Sequence, residues 1–270
     1  GNVPNWIRIN KIARKYKLRV IEDSADTIGY KFKNNNFGKY TDVSTNSLYA
    51  SHIITGAGSG GVVCFNDKKL YEKAKLLRGW GRSSAIFNES EGIKLRFSKK
   101  VSGIPYDGKY IFSAMGYNFL PSEISAAFAL EQIKKLKKNI DTREKNFKKL
   151  YNFFKKFNHF FELPSQNKYL KTPWLAFPLL IKDDSNLARK KLQIFLEQKG
   201  IQTRTIFTGN ILRQPIMQNK KFKKSNKKFL NSDNVMKNGI LIGCHHGLTS
   251  KEINYMMKNF NIFFSKFKKF

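Results

Sequence analysis

The chain has 270 residues, 41% of them hydrophobic, and 51 Lys plus Arg against 19 Asp plus Glu give it a formal charge of +32. That is enough apolar material for one large domain or two ordinary ones, each with a core, which excludes a disordered tail. No stretch approaches the roughly 18 consecutive apolar residues of a membrane-spanning helix, and Gly1 to Trp6 shows no basic region followed by an apolar run. A soluble, cytoplasmic protein without membrane insertion is expected.

The charge raises nucleic acid as a partner, but the lysines are scattered and accompany a surplus of Asn, Ile, Phe and Tyr, as a coding bias toward A and T produces. No nucleic acid is expected. The runs Lys134 to Lys138, Lys220 to Lys228 and Lys266 to Lys269 remain able to attract a polyanionic substrate. Cys64 and Cys244 lie far apart and neither sits in a CxxC pair, so no metal site is expected; Cys64, within Val62 to Phe65, reads as a small buried hydrophobe.

Trp6, Ile9, Ala13 and Tyr16 have helical spacing, and the β-type run Leu18 to Ile21 follows, closed by Glu22-Asp23. Further strands are expected at Val43 to Tyr49 and Gly61 to Phe65, separated by the glycine-rich loop Thr55 to Gly60, and Asp67 caps a helix to about Arg78. Residues 79 to 115 lack clear periodicity and read as a long ordered loop with a functional role. Pro121-Ser122 opens a periodic helix, and Asp141-Thr142-Arg143-Glu144 has capping-box spacing for another through about Phe157. Then come strand Trp174 to Ile181, helix Ser185 to Lys199 stopped by Gly200, strand Ile201 to Phe207, a basic loop, and a last helix from about Ser250. Strands alternating with helices predict an α/β fold over residues 1 to 140. A smaller α+β domain is expected over 141 to 270.

Asp23 ends a strand read as buried, where a carboxylate needs a positive partner such as a protonated pyridine nitrogen. Ser47 ends the neighbouring strand and the glycine loop follows, and hydroxyls and backbone amides of that kind bind phosphate. The runs Val20 to Asp26, Ser47 to Gly56 and Gly60 to Val63 resemble the DegT-type family of pyridoxal-phosphate-dependent sugar aminotransferases and dehydratases. Gly116-Tyr117-Asn118, Ser122 to Ala127 and Gly200 to Arg204 extend the resemblance over nearly the whole chain.

The resemblance implies an aspartate-aminotransferase-like, fold type I architecture, with a mixed sheet flanked by helices, and pyridoxal or pyridoxamine 5'-phosphate as cofactor. Asp23 matches the partner of the pyridine nitrogen, Ala25 the small residue at the ring face, Asp26 a position near the ring hydroxyl, and Ser47 a serine near the phosphate. Asn118 matches an asparagine that reaches the phosphate in the neighbouring subunit's site, which implies a homodimer. His52 stands where aminotransferases carry the lysine of the internal aldimine. Imidazole cannot make that linkage but moves protons near neutral pH.

The Lys-to-His exchange resembles the nucleotide-linked 4-keto-6-deoxyhexose 3-dehydratases, with His52 as base and acid, in deoxysugar and cell-surface polysaccharide biosynthesis. Trp80-Gly81-Arg82 is followed by Ser83-Ser84 where the CDP-sugar member has cluster cysteines, so no iron–sulfur cluster is expected and glutamate is expected to regenerate the amine cofactor. Arg82 and Arg204 are candidates for substrate anions, and His245-His246 reads as a pocket or packing feature. An aminotransferase, a non-catalytic cofactor-binding homologue and a nucleic-acid-binding protein are the alternatives. Members carry a preceding part of the large domain with a helix N-terminus at the phosphate, so the sequence reads as a fragment that lacks it.

Overall fold

Asn5 accepts the amide of Arg8 through its side chain and starts helix α1, Trp6–Lys15, which buries Trp6 and Ala13. The helix closes at a left-handed Lys17, φ +52°, and the Leu18 amide returns to Ala13 O. Residues 18 to 20 are spent in leaving the helix, so the strand expected at Leu18 to Ile21 runs instead over Ile21–Asp23, β1. This computed structural model describes residues 1–87, 91–218 and 228–265. Of the basic runs, Lys266 to Lys269 and all of Lys220 to Lys228 except Lys228 lie outside the described residues.

The contacts divide the chain into two units. One comprises Pro4–Ile28 and Asn35–Lys134. In it β1 pairs in parallel with β2, Val43–Ser47, with Asp23 opposite Thr45, and β2 pairs antiparallel with β3, Gly61–Phe65. The sheet is mixed, as expected. Asp67 caps α2, Lys68–Arg78, by accepting the Lys69 and Leu70 amides. Cys64 is exposed rather than buried: most of β3 is open to solvent, so an apolar run does not by itself mark a covered strand.

The segment read as one long loop holds short pieces: the helical turns Ser83–Ile86 and Ile93–Phe97 and a hairpin of Lys99–Val101 with Ile104–Tyr106. It is pinned where two backbone stretches cross. A Cβ on Gly116 would stand 2.2 Å from Gly81 N, and one on Gly81 would stand 1.8 Å from Ala114 O, so only glycine fits either position. Helix α3, Glu123–Lys134, follows, with Ile124, Phe128, Leu130 and Ile133 exposed.

The second unit comprises Gly1–Val3, Gly29–Asn34 and Lys135–Phe270. Its long helix α4, Leu136–Phe154, runs straight through 140/141. Asp141 therefore caps nothing, and the Thr142 hydroxyl donates back to Lys138 O inside the helix. The reason is tertiary. Asn139, Arg143, Asn146, Leu150 and Phe154 form one buried stripe at helical spacing, and the Arg143 and Asn146 side chains reach backbone carbonyls of residues far along the chain.

An antiparallel sheet lies in this unit in the order Thr203–Arg204, Gly239–Gly243, Ala176–Ile181, Phe161–Glu162. Helix α5, Arg189–Gln198, helix α6, Leu230–Asn238, and helix α7, Ser250–Ser265, complete the α+β arrangement. Compared with the sequence reading, the helix after the Asp183–Ser185 turn starts later and the strand at Ile201 shortens to two residues. Helix α6 and the strand Gly239–Gly243 were not anticipated. Leu150, Phe154, Phe177, Leu179, Leu192, Leu196, Ile240 and Phe260 are fully enclosed, each contributing roughly 1.5–3 kcal/mol by burial. No helix among the described residues is long and apolar enough to cross a membrane.

Candidate active site

The parallel pairing of β1 and β2 puts Asp23 and Ser47 at the same edge of the sheet, at the strands' C-terminal ends. In open α/β sheets ligands gather there. Alternation along β1 turns Glu22 inward and Asp23 outward, so Asp23 is exposed and the expectation of a buried carboxylate falls on its neighbour. Glu22, 3% exposed, accepts from the Ser24 hydroxyl at 2.6 Å, Gly38 N at 2.8 Å and Thr41 Oγ1 at 3.4 Å. The Asp23 Oδ1 accepts from Ala25 N at 3.1 Å and Thr45 Oγ1 at 3.4 Å. Its Oδ2 accepts nothing from the described residues.

The chain turns after β1. Ser24 N donates to Thr45 O and Thr27 N to Ser24 O, which fixes Ala25 and Asp26 at the centre of a turn. Ser47 N reaches Ala25 O at 3.4 Å, and the Ser47 hydroxyl accepts from Tyr49 N at 3.1 Å while its own proton remains to be donated. In the glycine-rich loop Gly56 N donates to Leu48 O and Gly58 N to Thr55 Oγ1, so these two amides are spent within the loop. His52 sits in the turn between Ser47 and that loop, its amide on Tyr49 O at 3.0 Å, ahead of the enclosed Ile53 and Ile54. Its Nε2 lies 2.6 Å from Asp26 Oδ1. Its Nδ1 is buried and has no hydrogen-bond partner among the described residues.

Asp23, Ala25, Asp26, Ser47 and His52 are thus brought together where β1 and β2 end. Arg82 packs its guanidinium against Trp80, Tyr110 and Phe112, with ring centroids at 4.7, 5.6 and 5.4 Å. It makes no ion pair among the described residues, and its Nε is buried without a partner. Asn118 is exposed and bridges backbone to Gly79. Arg204 belongs to the second unit, where it donates to Thr203 O. His245, exposed, and His246, half-buried, lie in the same unit. Arg143 Nε donates to His246 Nδ1 at 3.1 Å, and burial followed by the Arg143 charge holds both imidazoles below the usual histidine range. Sequence reading missed Glu22 and Thr45, which the alternation and pairing of the strands would reveal, and the Asp26–His52 pair, for which no local signal exists.

Residues 1–261 match the model of the DegT/DnrJ/EryC1/StrS aminotransferase family. The chain belongs to this family. It is 32% identical over 267 residues to lipopolysaccharide biosynthesis protein RfbH of Salmonella typhimurium, covering 98% of this chain and 61% of that protein. It is 30% identical over 261 residues to the dTDP-4-dehydro-2,6-dideoxy-D-glucose 3-dehydratase of Saccharopolyspora spinosa, covering 96% and 56%. Among solved structures, the E. coli GDP-4-keto-6-deoxy-D-mannose-3-dehydratase with bound hydrated PLP superposes with a TM-score of 0.79 at 29% identity, covering 96% of this chain and 64% of that one. Transaminases also stand among the relatives. The chain spans about 60% of the length of the relatives it matches. Its architecture is that of the aminotransferase-like pyridoxal-phosphate enzymes, as the sequence resemblance implied.

Proposed function

We propose that this chain carries the cofactor site of a pyridoxal-phosphate-dependent dehydratase that removes the 3-hydroxyl of a nucleotide-linked 4-keto-6-deoxyhexose. The observation that carries the reading is His52, seated at the strand ends beside Asp23 and Ser47 with its imidazole bound to Asp26. Among the described residues no lysine bonds to that group, and a histidine there moves protons without forming a covalent link to the cofactor.

The residues fit the cofactor. Asp23 Oδ2, which accepts nothing from the described residues, would accept a pyridinium N–H and so would keep the ring an electron sink. Ala25 would lie at the ring face, and the Ser47 hydroxyl, whose proton is not spent, would donate to the phosphate. When bound, the amine form of the cofactor supplies the electron sink through which the hydroxyl at the sugar's third carbon is expelled. His52 accepts and returns the protons that this requires. Arg82, without an ion pair among the described residues, takes an anionic group of the nucleotide sugar or of glutamate, the amino donor, and the exposed Arg204 of the second unit is a separate candidate for such an anion. Asn118, on a stretch of exposed aromatics, serves the site of a second copy in a homodimer.

The test is to incubate the protein with pyridoxal phosphate, glutamate and GDP-, CDP-, UDP- or dTDP-linked 4-keto-6-deoxyhexoses and to weigh the products by mass spectrometry. A sugar that has lost its 3-oxygen, absent with His52→Asn, is expected. An amino sugar retaining that oxygen would overturn the reading in favour of transamination.

A further inference from the structure

Resting on that reading of His52, we infer that Asp26 is a positioning residue. It holds the His52 ring in one orientation and in the neutral tautomer that carries its proton on Nε2. Two parts of the geometry select this state together. An ionised carboxylate only accepts, so an Nε2 lone pair facing Asp26 Oδ1 at 2.6 Å would be repelled, whereas an Nε2–H makes a short charge-assisted bond. A proton on Nδ1 instead would put an N–H into an enclosed place where no acceptor meets it. Both terms favour Nε2–H, and rotating the ring by half a turn would set a C–H against the carboxylate.

The backbone makes the pair rigid at both ends. Asp26 sits in the Ser24 to Thr27 turn, itself tied to β2 through Ser24 N and Thr45 O. His52 is fixed by its amide bond to Tyr49 O, by the enclosed Ile53 and Ile54 that follow, and by the edge of the Tyr49 ring, 6.1 Å between centroids. The side chains are 15% and 30% exposed, which limits how far water competes for the bond. An imidazole held by a carboxylate at one nitrogen has its tautomer set there. With Nε2–H held on Asp26, Nδ1 is the nitrogen left to accept a proton from the substrate side. Asp26 Oδ1 is thus committed to the histidine, beyond any contact of this side chain with the cofactor's ring hydroxyl.

The tautomer is read directly in the cofactor-free protein by long-range proton–nitrogen correlation spectra on samples labelled with 15N-histidine. His52→Asn identifies the signal among the four histidines. Near pH 8 a protonated Nε2 and a bare Nδ1 are expected, with both nitrogens averaging toward a mixture in Asp26→Ala and the wild-type pattern returning in Asp26→Asn to the extent that the amide oxygen accepts. A wild-type spectrum with the proton on Nδ1, or one already averaged between tautomers, would overturn the inference without requiring any variant to fold. In the dehydration assay Asp26→Ala should lower kcat at least tenfold with KM for the nucleotide sugar little changed; an unchanged kcat would also overturn it. Should the tautomer be as expected while no dehydration occurs with any substrate, the positioning holds and the proposed activity fails.

Discussion

Removing the guanidinium of Arg143 should cost the second unit about 3 kcal/mol, and the figure follows from what surrounds it. The side chain is 2% exposed and donates to Trp174 O at 3.2 Å, Leu175 O at 3.1 Å and His246 Nδ1 at 3.1 Å, with no carboxylate within ion-pair reach among the described residues. Arg143→Ala leaves three acceptors without this donor, each worth about 1–3 kcal/mol where water cannot replace it. Against that, the folded chain no longer carries an unpaired buried cation, whose desolvation costs several kcal/mol and already holds the Arg143 pKa below the usual arginine value. The difference is about 3 kcal/mol. Urea unfolding followed by the fluorescence of Trp174, stacked on Phe147 at 4.6 Å, measures it. A loss under about 1 kcal/mol, or a gain in stability in Arg143→Met, would refute the reasoning by showing that desolvation outweighs the hydrogen bonds.

The histidine pair beside Arg143 makes stability depend on pH. Burial first, then the Arg143 charge, lowers the affinity of His245 and His246 for protons in the folded state, so the unfolded chain binds more protons below about pH 6.5. Stability from this source is complete above about pH 6.5 and falls as pH drops below it, and the slope should flatten in a His245→Asn, His246→Asn double variant followed by urea midpoints. The two cysteines should separate in a thiol titration: the exposed Cys64 reacts in the native protein, whereas Cys244, enclosed and pushed up to about 12 by burial, reacts only after unfolding. Gly116→Ala forces a methyl to 2.2 Å from Gly81 N and 2.5 Å from Trp80 C, and should destabilise the first unit by about 3 kcal/mol, read from Trp80 fluorescence during urea unfolding.

Where the signal is local, the sequence could be read nearly to the residue. Asp67 before an amphipathic run marked the start of α2, and its carboxylate does cap the Lys69 and Leu70 amides. Asp141-Thr142-Arg143-Glu144 has the same kind of signature and sits mid-helix, because what decides the matter is a set of acceptors 31 and 103 residues away from Arg143. Asp23 was rightly assigned to a strand end, but a three-residue strand does not tell which of Glu22 and Asp23 faces inward until its partner β2 is in place. The spaced motifs located His52 and Asp26 separately. Their pairing arises from two turns at the ends of adjacent parallel strands, which no pattern along the chain encodes.

The central claim is that His52 occupies the place of a cofactor-binding lysine. Pyridoxal phosphate is added to the wild-type protein and to His52→Lys, each is treated with borohydride, and reduced cofactor on lysine is mapped by peptide mass spectrometry. The account predicts adduct at position 52 in the variant and no specific lysine adduct in the wild type, which should still convert the cofactor to its amine form when glutamate is supplied. A stoichiometric adduct on one lysine of the wild-type protein would contradict it.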